Sequence, residues 1–374
     1  MNIYIVKEGD EVDTIAKTHQ VPAEDIIYVN QLVKPYELAI GQALLIIEKR
    51  AEPTRGMIAN GFAYPYISPW VLNQTLPFLQ ELSIFSYGFT EEGELLPPPK
   101  DDTWMIQAAS DALTRSILTL TPLGRDGQFN NMLIHQLVNQ EKAKQTLIND
   151  LITTMEEKGF YGVDIDFEYI LPQDRDAFTV FVRQVADAIR PLGYGISVDL
   201  APKTSAEQQG LLYQGKDYKA LGEAADHVLV MTYEWGYSYG PPMAVAPIHK
   251  VREVIEYAVT EIPRAKINLG IPNYGYDWEL PYIRGKTKAK TIGNVEAVRI
   301  AIHQSAVIEF DEQAQSPFFR YTEEGVLHEV WFEDVRSLRS KFNLMKEFHL
   351  RGAGYWQIMR FFRANWYLQE AEWA

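Results

Sequence analysis

Tyr161-Gly162-Val163-Asp164-Ile165-Asp166-Phe167-Glu168 alternates acidic and apolar residues with a period of two. Successive side chains on a strand point to opposite faces, so Asp164, Asp166 and Glu168 share one face and Ile165 and Phe167 the other. In a parallel barrel the outer face packs under helices and the inner face fills the interior. The apolar pair then belongs outside, and the three carboxylates point inward and climb towards the C-terminal mouth. Desolvation and mutual repulsion both oppose ionisation there, so the set is expected to share at least one proton. Glu168, nearest the mouth and beside a charged Asp166, is the candidate for a raised pKa and for general-acid work. Two other readings suit acids on one strand. A polar edge strand would hold them in water, which the apolar surroundings oppose. A Mg²⁺ or Ca²⁺ site would need octahedral geometry that one strand supplies poorly, and no His lies beside the acids. No metal and no cofactor is expected.

Outward from this strand, short apolar runs alternate with helical stretches, the pattern of repeated βα units. The other candidate strands lie at 57–59, 82–85, 116–120, 195–198, 227–231, 267–271 and 354–356. Helical periodicity runs from Ala143 to Lys158 and from Ala177 to Ile189. Eight strands over this length predict an α/β fold, a (β/α)8 TIM barrel over residues 56–374. The gap between the seventh and eighth strands, about 276–331, is too long for a simple return and predicts a small α+β insertion.

The first 48 residues form a separate unit. Ile3-Tyr4-Ile5-Val6 predicts a strand, Val12, Ile15 and Ala16 a helix, Ile26, Ile27 and Val29 a second helix, and 43–47 a closing strand. Charge and proline over 49–55 mark a linker.

The chain has 374 residues, 47% hydrophobic and 23% charged, which excludes a disordered or collagen-like polymer. Its formal charge of -15 argues against nucleic acid and acidic membrane surfaces as partners. With no Cys there is no disulfide framework and no thiolate chemistry. No apolar run is long enough to span a bilayer, and the start lacks a basic n-region followed by an apolar h-region. Synthesis in the cytoplasm without a signal peptide is the expectation.

The first unit resembles a LysM module in Tyr4-x-Val6-Lys7-x-Gly9-Asp10, Ile15-Ala16, Val21, Asn30 and Leu38-x-Ile40-Gly41-Gln42-x-Leu44-x-Ile46, with Glu11-Val12 as a departure. The resemblance implies a shallow groove for N-acetylglucosamine-containing glycans, involving Gly9, Asp10, Asn30, Leu38 and Ile40. A plainer reading leaves Gly9 and Gly41 as turn residues and Ile40 as core.

The acidic strand resembles the DxxDxDxE signature of family 18 glycoside hydrolases, with Tyr161 where the first Asp would stand. That family departs from the two-carboxylate scheme because the substrate's acetamido group is the nucleophile. The resemblance implies that Glu168 protonates the leaving oxygen and later activates water. It implies that Asp166 orients the acetamido group, and that Asp164 sets the charge and position of Asp166. Met231-Thr232-Tyr233-Glu234 is similar to the family's Met-x-Tyr-Asp, implying that Tyr233 donates to the acetamido carbonyl and Glu234 contacts sugar hydroxyls. Trp356, ending the last strand, would floor the sugar site, and Tyr274 in Gly270–Trp278 would line the cleft. The third strand, Leu118-Thr119-Leu120-Thr121-Pro122, lacks the family's Ser-x-Gly-Gly. With the stretch 232–243, this looks like the LysM-bearing branch of spore-forming bacteria, whose members lyse spore cortex peptidoglycan as N-acetylglucosaminidases. Many of them carry two LysM units, and one is found here. The implied partner is peptidoglycan or another N-acetylglucosamine glycan, acted on by a monomer deposited in the spore coat or cortex. The alternatives are a plain chitinase and a non-catalytic chitinase-like glycan-binding spore protein. The terminal Glu that lectin relatives lose is present as Glu168.

Overall fold

The computed structural model describes residues 1–48 and 56–373, so the linker expected over 49–55 lies outside the described residues. At the N-terminus β1 (Asn2–Ile5) pairs antiparallel with β2 (Ala43–Ile46). Across this ribbon lie α1 (Val12–His19) and α2 (Ala23–Val29). Val12, Ile15, Ala16 and Ile26 close a small core on Leu44 and Ile46, as their helical spacing requires.

The main body is a closed ring of eight parallel strands. These are β3 (Ile58–Ala63), β4 (Glu81–Phe89), β5 (Arg115–Leu120), β6 (Gly162–Ile165), β7 (Gly195–Leu200), β8 (His227–Val230), β9 (Ile267–Pro272) and, after an insertion, β15 (Gly352–Trp356). Each pairs with its neighbour in chain order, β15 pairs with β9 and β3, and β3 with β4 completes the cylinder. Every predicted barrel strand is present. The acidic strand is shorter than its alternation implies, ending at Ile165, yet Asp166 N still donates to Leu120 O at 2.9 Å. That extra rung keeps the alternation going beyond the strand, so Phe167 turns outward and Asp166 inward. Phe167 packs on Phe89, Phe178 and Phe181 with ring centroids 5.5, 5.8 and 6.1 Å away. At the start of β6 a Cβ on Gly162 would lie 2.3 Å from the Gly195 carbonyl oxygen, so glycine permits the close approach of β7.

Two helices pack outside the acidic strand, α3 (Glu141–Lys158) and α4 (Arg175–Ile189). Phe178, Phe181, Val182, Val185, Ala186 and Ile189 recur every three or four residues and are all buried, giving α4 its inward stripe.

Between β9 and β15 the chain forms a second sheet. Its elements are β10 (Gly275–Leu280), β11 (Lys290–Ile292), α5 (Asn294–His303), β12 (Glu309–Asp311), β13 (Ser316–Glu323) and β14 (Val326–Trp331). The strands are antiparallel in the order β11-β10-β14-β13-β12, the α+β insertion expected between the seventh and eighth barrel strands. Its core of Ile292, Ala297, Ala301, Phe319, Val330 and Phe332 also takes in Ala39 of the N-terminal module. The module is thereby docked on the insertion. Ile308 N donates to Ile40 O at 2.8 Å, and Arg363 reaches Tyr28 O at 2.8 Å while lying over the Tyr28 ring. Gly41, at φ +83°, sits where a Cβ would come 1.8 Å from Ile308 O. No helix among the described residues is long and apolar enough to cross a membrane.

Candidate active site

The interior of the barrel around the acidic strand is polar. Asp164 on β6 faces Thr119 of β5 and Ser197 of β7 in register, and both neighbours are buried. Ser197 Oγ donates to Asp164 Oδ1, while Asp164 Oδ2 and Asp166 Oδ1 have no hydrogen-bond partner among the described residues. Asp164 is 1% exposed and Asp166 8%, whereas Glu168 reaches solvent. The three acids thus form a ladder from core to mouth.

Burial pushes the Asp164 carboxyl from 3.8 up to about 7, against the hydrogen bond from the Ser197 hydroxyl, which favours ionisation. Burial also raises Asp166 well above the carboxylate range; the charges of Glu168 and Asp164 add to this and Lys216 opposes it. Both shifts favour the neutral acid in the buried part of the ladder. A third buried acid takes part. Asp199 of β7 is raised by burial and by Asp164 and Asp166, and its Oδ1 is also unpartnered. Sequence reasoning missed it, although Ser197 and Asp199 alternate with apolar residues just as the acids of β6 do.

Above the ladder opens a cleft of about 600 Å³ lined by Asp166, Glu168, Asp199, Tyr233, Glu234 and Trp356 among others. That volume lies within the ~300–1,000 Å³ of ligand sites. Trp356, at the end of β15, is held edge-on by Phe85 at 4.8 Å, Phe62 at 6.0 Å and Tyr64 at 6.1 Å, which presents a flat apolar surface. Tyr233 follows β8 and is buried, which raises its phenol pKa and keeps it a donor. Glu234 adopts φ +67°, a costly backbone state for a non-glycine residue. It is held there by the hydroxyls of Tyr274 and Tyr276, which donate to its Oε1. Tyr274 is buried and spends its hydroxyl on Glu234, so it stands behind the cleft wall rather than on it. Burial raises Glu234 above its ordinary value, and the two tyrosines work against that shift.

In the N-terminal module the expected groove residues have unequal freedom. Asp10 accepts from Tyr4 Oη at 2.8 Å and Lys7 N at 2.7 Å, fixing the turn that Gly9 makes at φ +80°. Asn30 bridges main chain, donating to Ile26 O and Leu45 O and accepting from Leu45 N. Leu38 is half-buried, and Ile40, 39% exposed, gives its carbonyl to Ile308. Gly9 and Ile40 are the members open to solvent.

A barrel with an acidic ladder on its fourth strand and an aromatic floor on its eighth is the frame of a glycosidase. The description Glycosyl hydrolases family 18 matches residues 110–360 and LysM domain matches residues 4–46, and the chain belongs to glycosyl hydrolase family 18. It is 41% identical to the cortical fragment-lytic enzyme of Bacillus subtilis, covering 98% of this chain and 97% of that one. A putative sporulation-specific glycosylase of the same organism, YdhD, is 32% identical over 98% of this chain and 87% of its own. The crystal structure of the Bacillus megaterium spore cortex-lytic enzyme SleL superposes with a TM-score of 0.93 at 34% identity, covering 100% of this chain and 98% of that one.

Proposed function

We propose that this chain hydrolyses β-1,4 bonds after N-acetylglucosamine in spore cortex peptidoglycan, with retention of configuration. The observation that carries the reading is the acid ladder rising from a closed interior into a cleft floored by Trp356. Kinship with enzymes named for cortex lysis supports the choice of peptidoglycan over chitin.

In this reading Glu168 gives its proton to the glycosidic oxygen as the acetamido carbonyl oxygen attacks C1 and the C1–O bond breaks. Asp166 orients the acetamido N–H and balances the positive charge of the ring so formed. Asp164 positions Asp166, and Tyr233 donates to the acetamido oxygen. Glu168 then takes a proton from water, which attacks C1 and reopens the ring, so configuration is retained. Glu234 binds sugar hydroxyls, and the LysM unit raises the local concentration of glycan without touching the bond that breaks. The enzyme works in the spore, on glycan strands.

Glu168→Gln is expected to lower product release from cortex fragments by ~10²-fold or more while pull-down on the same material persists. Undiminished turnover would reject the acid/base role. Mass spectrometry of the products, with chitin oligomers in parallel, separates cortex cleavage from a plain chitinase.

A further inference from the structure

Lys216 is a cation without access to water. It is 0% exposed and follows β7 on the loop that returns towards β8. Its Nζ donates to the main-chain carbonyl of Asp199 at 3.0 Å, and its own carbonyl accepts from the buried Lys203 Nζ at 3.1 Å. A buried ammonium is costly and persists where surrounding negative charge holds it. The acids that supply it are Asp166 and Glu168 from β6 and its extension, and Asp199 from β7. Asp164 reaches the same set through Asp166 and Asp199, and beyond β8 Glu234 and the phenol of Tyr233 face it, with Tyr64 across the cleft. The proposed mechanism gives Lys216 and Asp199 no task, yet Asp199 follows Val198 as Asp166 follows its register partner Ile165, both acids line one cleft, and Lys216 Nζ is bonded to the Asp199 main chain. The Oδ1 atoms of Asp166 and Asp199 are buried with no hydrogen-bond partner among the described residues.

We propose that Lys216 is a positioning residue whose ammonium, opposed by Asp199, favours the ionised form of the Asp166 carboxylate and so sets the pH range in which the site works. The inference rests on the hydrolase reading above. A fixed positive charge favours an ionised carboxylate and a neighbouring carboxylate disfavours it, without either touching substrate. Burial lowers the Lys216 pKa, and the charges of Asp166, Glu168 and Asp199 work against that shift.

The test is the pH profile of kcat/KM for the full chain on soluble cortex fragments, whose acidic limb reports ionisation of the free enzyme. Lys216→Met should move that limb up by ~1–2 pH units, and Lys216→Arg, which keeps the charge, should bring it back. Asp199→Asn should move it down, and the double variant should return towards the parent. Loosened packing would lower the whole profile without shifting the limb in opposite directions. A limb that stays in place, or moves the same way in both single variants, overturns the proposal. If Lys216→Met does not fold, Asp199→Asn decides by the same criterion. A parent chain that cleaves nothing fells the hydrolase reading and this one together; an active parent with unmoved limbs fells this one alone.

Discussion

Asp166 stands where burial and two neighbouring acids all resist its charge, yet the proposed reaction needs that charge as the sugar ring turns positive. Asp166→Asn keeps the shape and removes the charge. We expect kcat to fall by ~10²–10³, the magnitude typical of losing one preorganised electrostatic group. A glycan lacking the N-acetyl group should be inert with the parent chain, and efficient cleavage of it would reject substrate assistance. Asp164 offers a pH test of the same ladder. Because its pKa rises from 3.8 to about 7 on folding, its contribution to stability is present below about pH 4 and is lost as pH rises through about 7. Asp164→Asn should therefore gain in Tm on the parent between pH 4 and pH 8. A difference that stays constant over that interval would contradict the shift.

A ladder is only as straight as the elements behind it. Phe167 separates Asp166 from Glu168 and is clamped by the stacked ring of Phe181 on α4. Truncating that ring removes a fully buried aromatic, so Phe181→Ala should cost ~3–5 kcal/mol in denaturant unfolding. Activity should drop further than the unfolded fraction accounts for, because the turn carrying Glu168 loses its backing. The paired tyrosines behind Glu234 make the same point on the far wall. Tyr274 is read in a sequence as an aromatic near a cleft, but its hydroxyl is committed to another residue's carboxylate.

At the largest extent, the N-terminal module shares one core with the insertion through Ala39 and enters the barrel core through Val29 and Leu45. Gly41→Ala places a methyl group against the Ile308 carbonyl and strains a positive φ, so it should prise the module from the insertion. The expected result is a separate early transition in thermal unfolding. KM on insoluble cortex should rise while kcat on soluble fragments holds. A single unchanged transition would mean that the seam bends to fit the methyl group.

Alternation along a strand and spacing along a helix are properties of consecutive residues, which is why the eight barrel strands, the inward face of 164, 166 and 168, and the order of the N-terminal module were legible in residue order. What lies opposite that face is a property of ring closure. Asp199 carried a usable signal, since it alternates with Ser197 on β7. Lys216 carried none, because a lone lysine in a loop reads as a solvated side chain until the returning loop buries it against β7. Asn30 and Asp10 looked like groove residues, and only packing showed the Asn30 amide and the Asp10 Oδ2 engaged by their own module. Neighbours in the chain are bound by geometry that every strand shares. Neighbours across the barrel are brought together by burial, and burial decides which charges must answer one another.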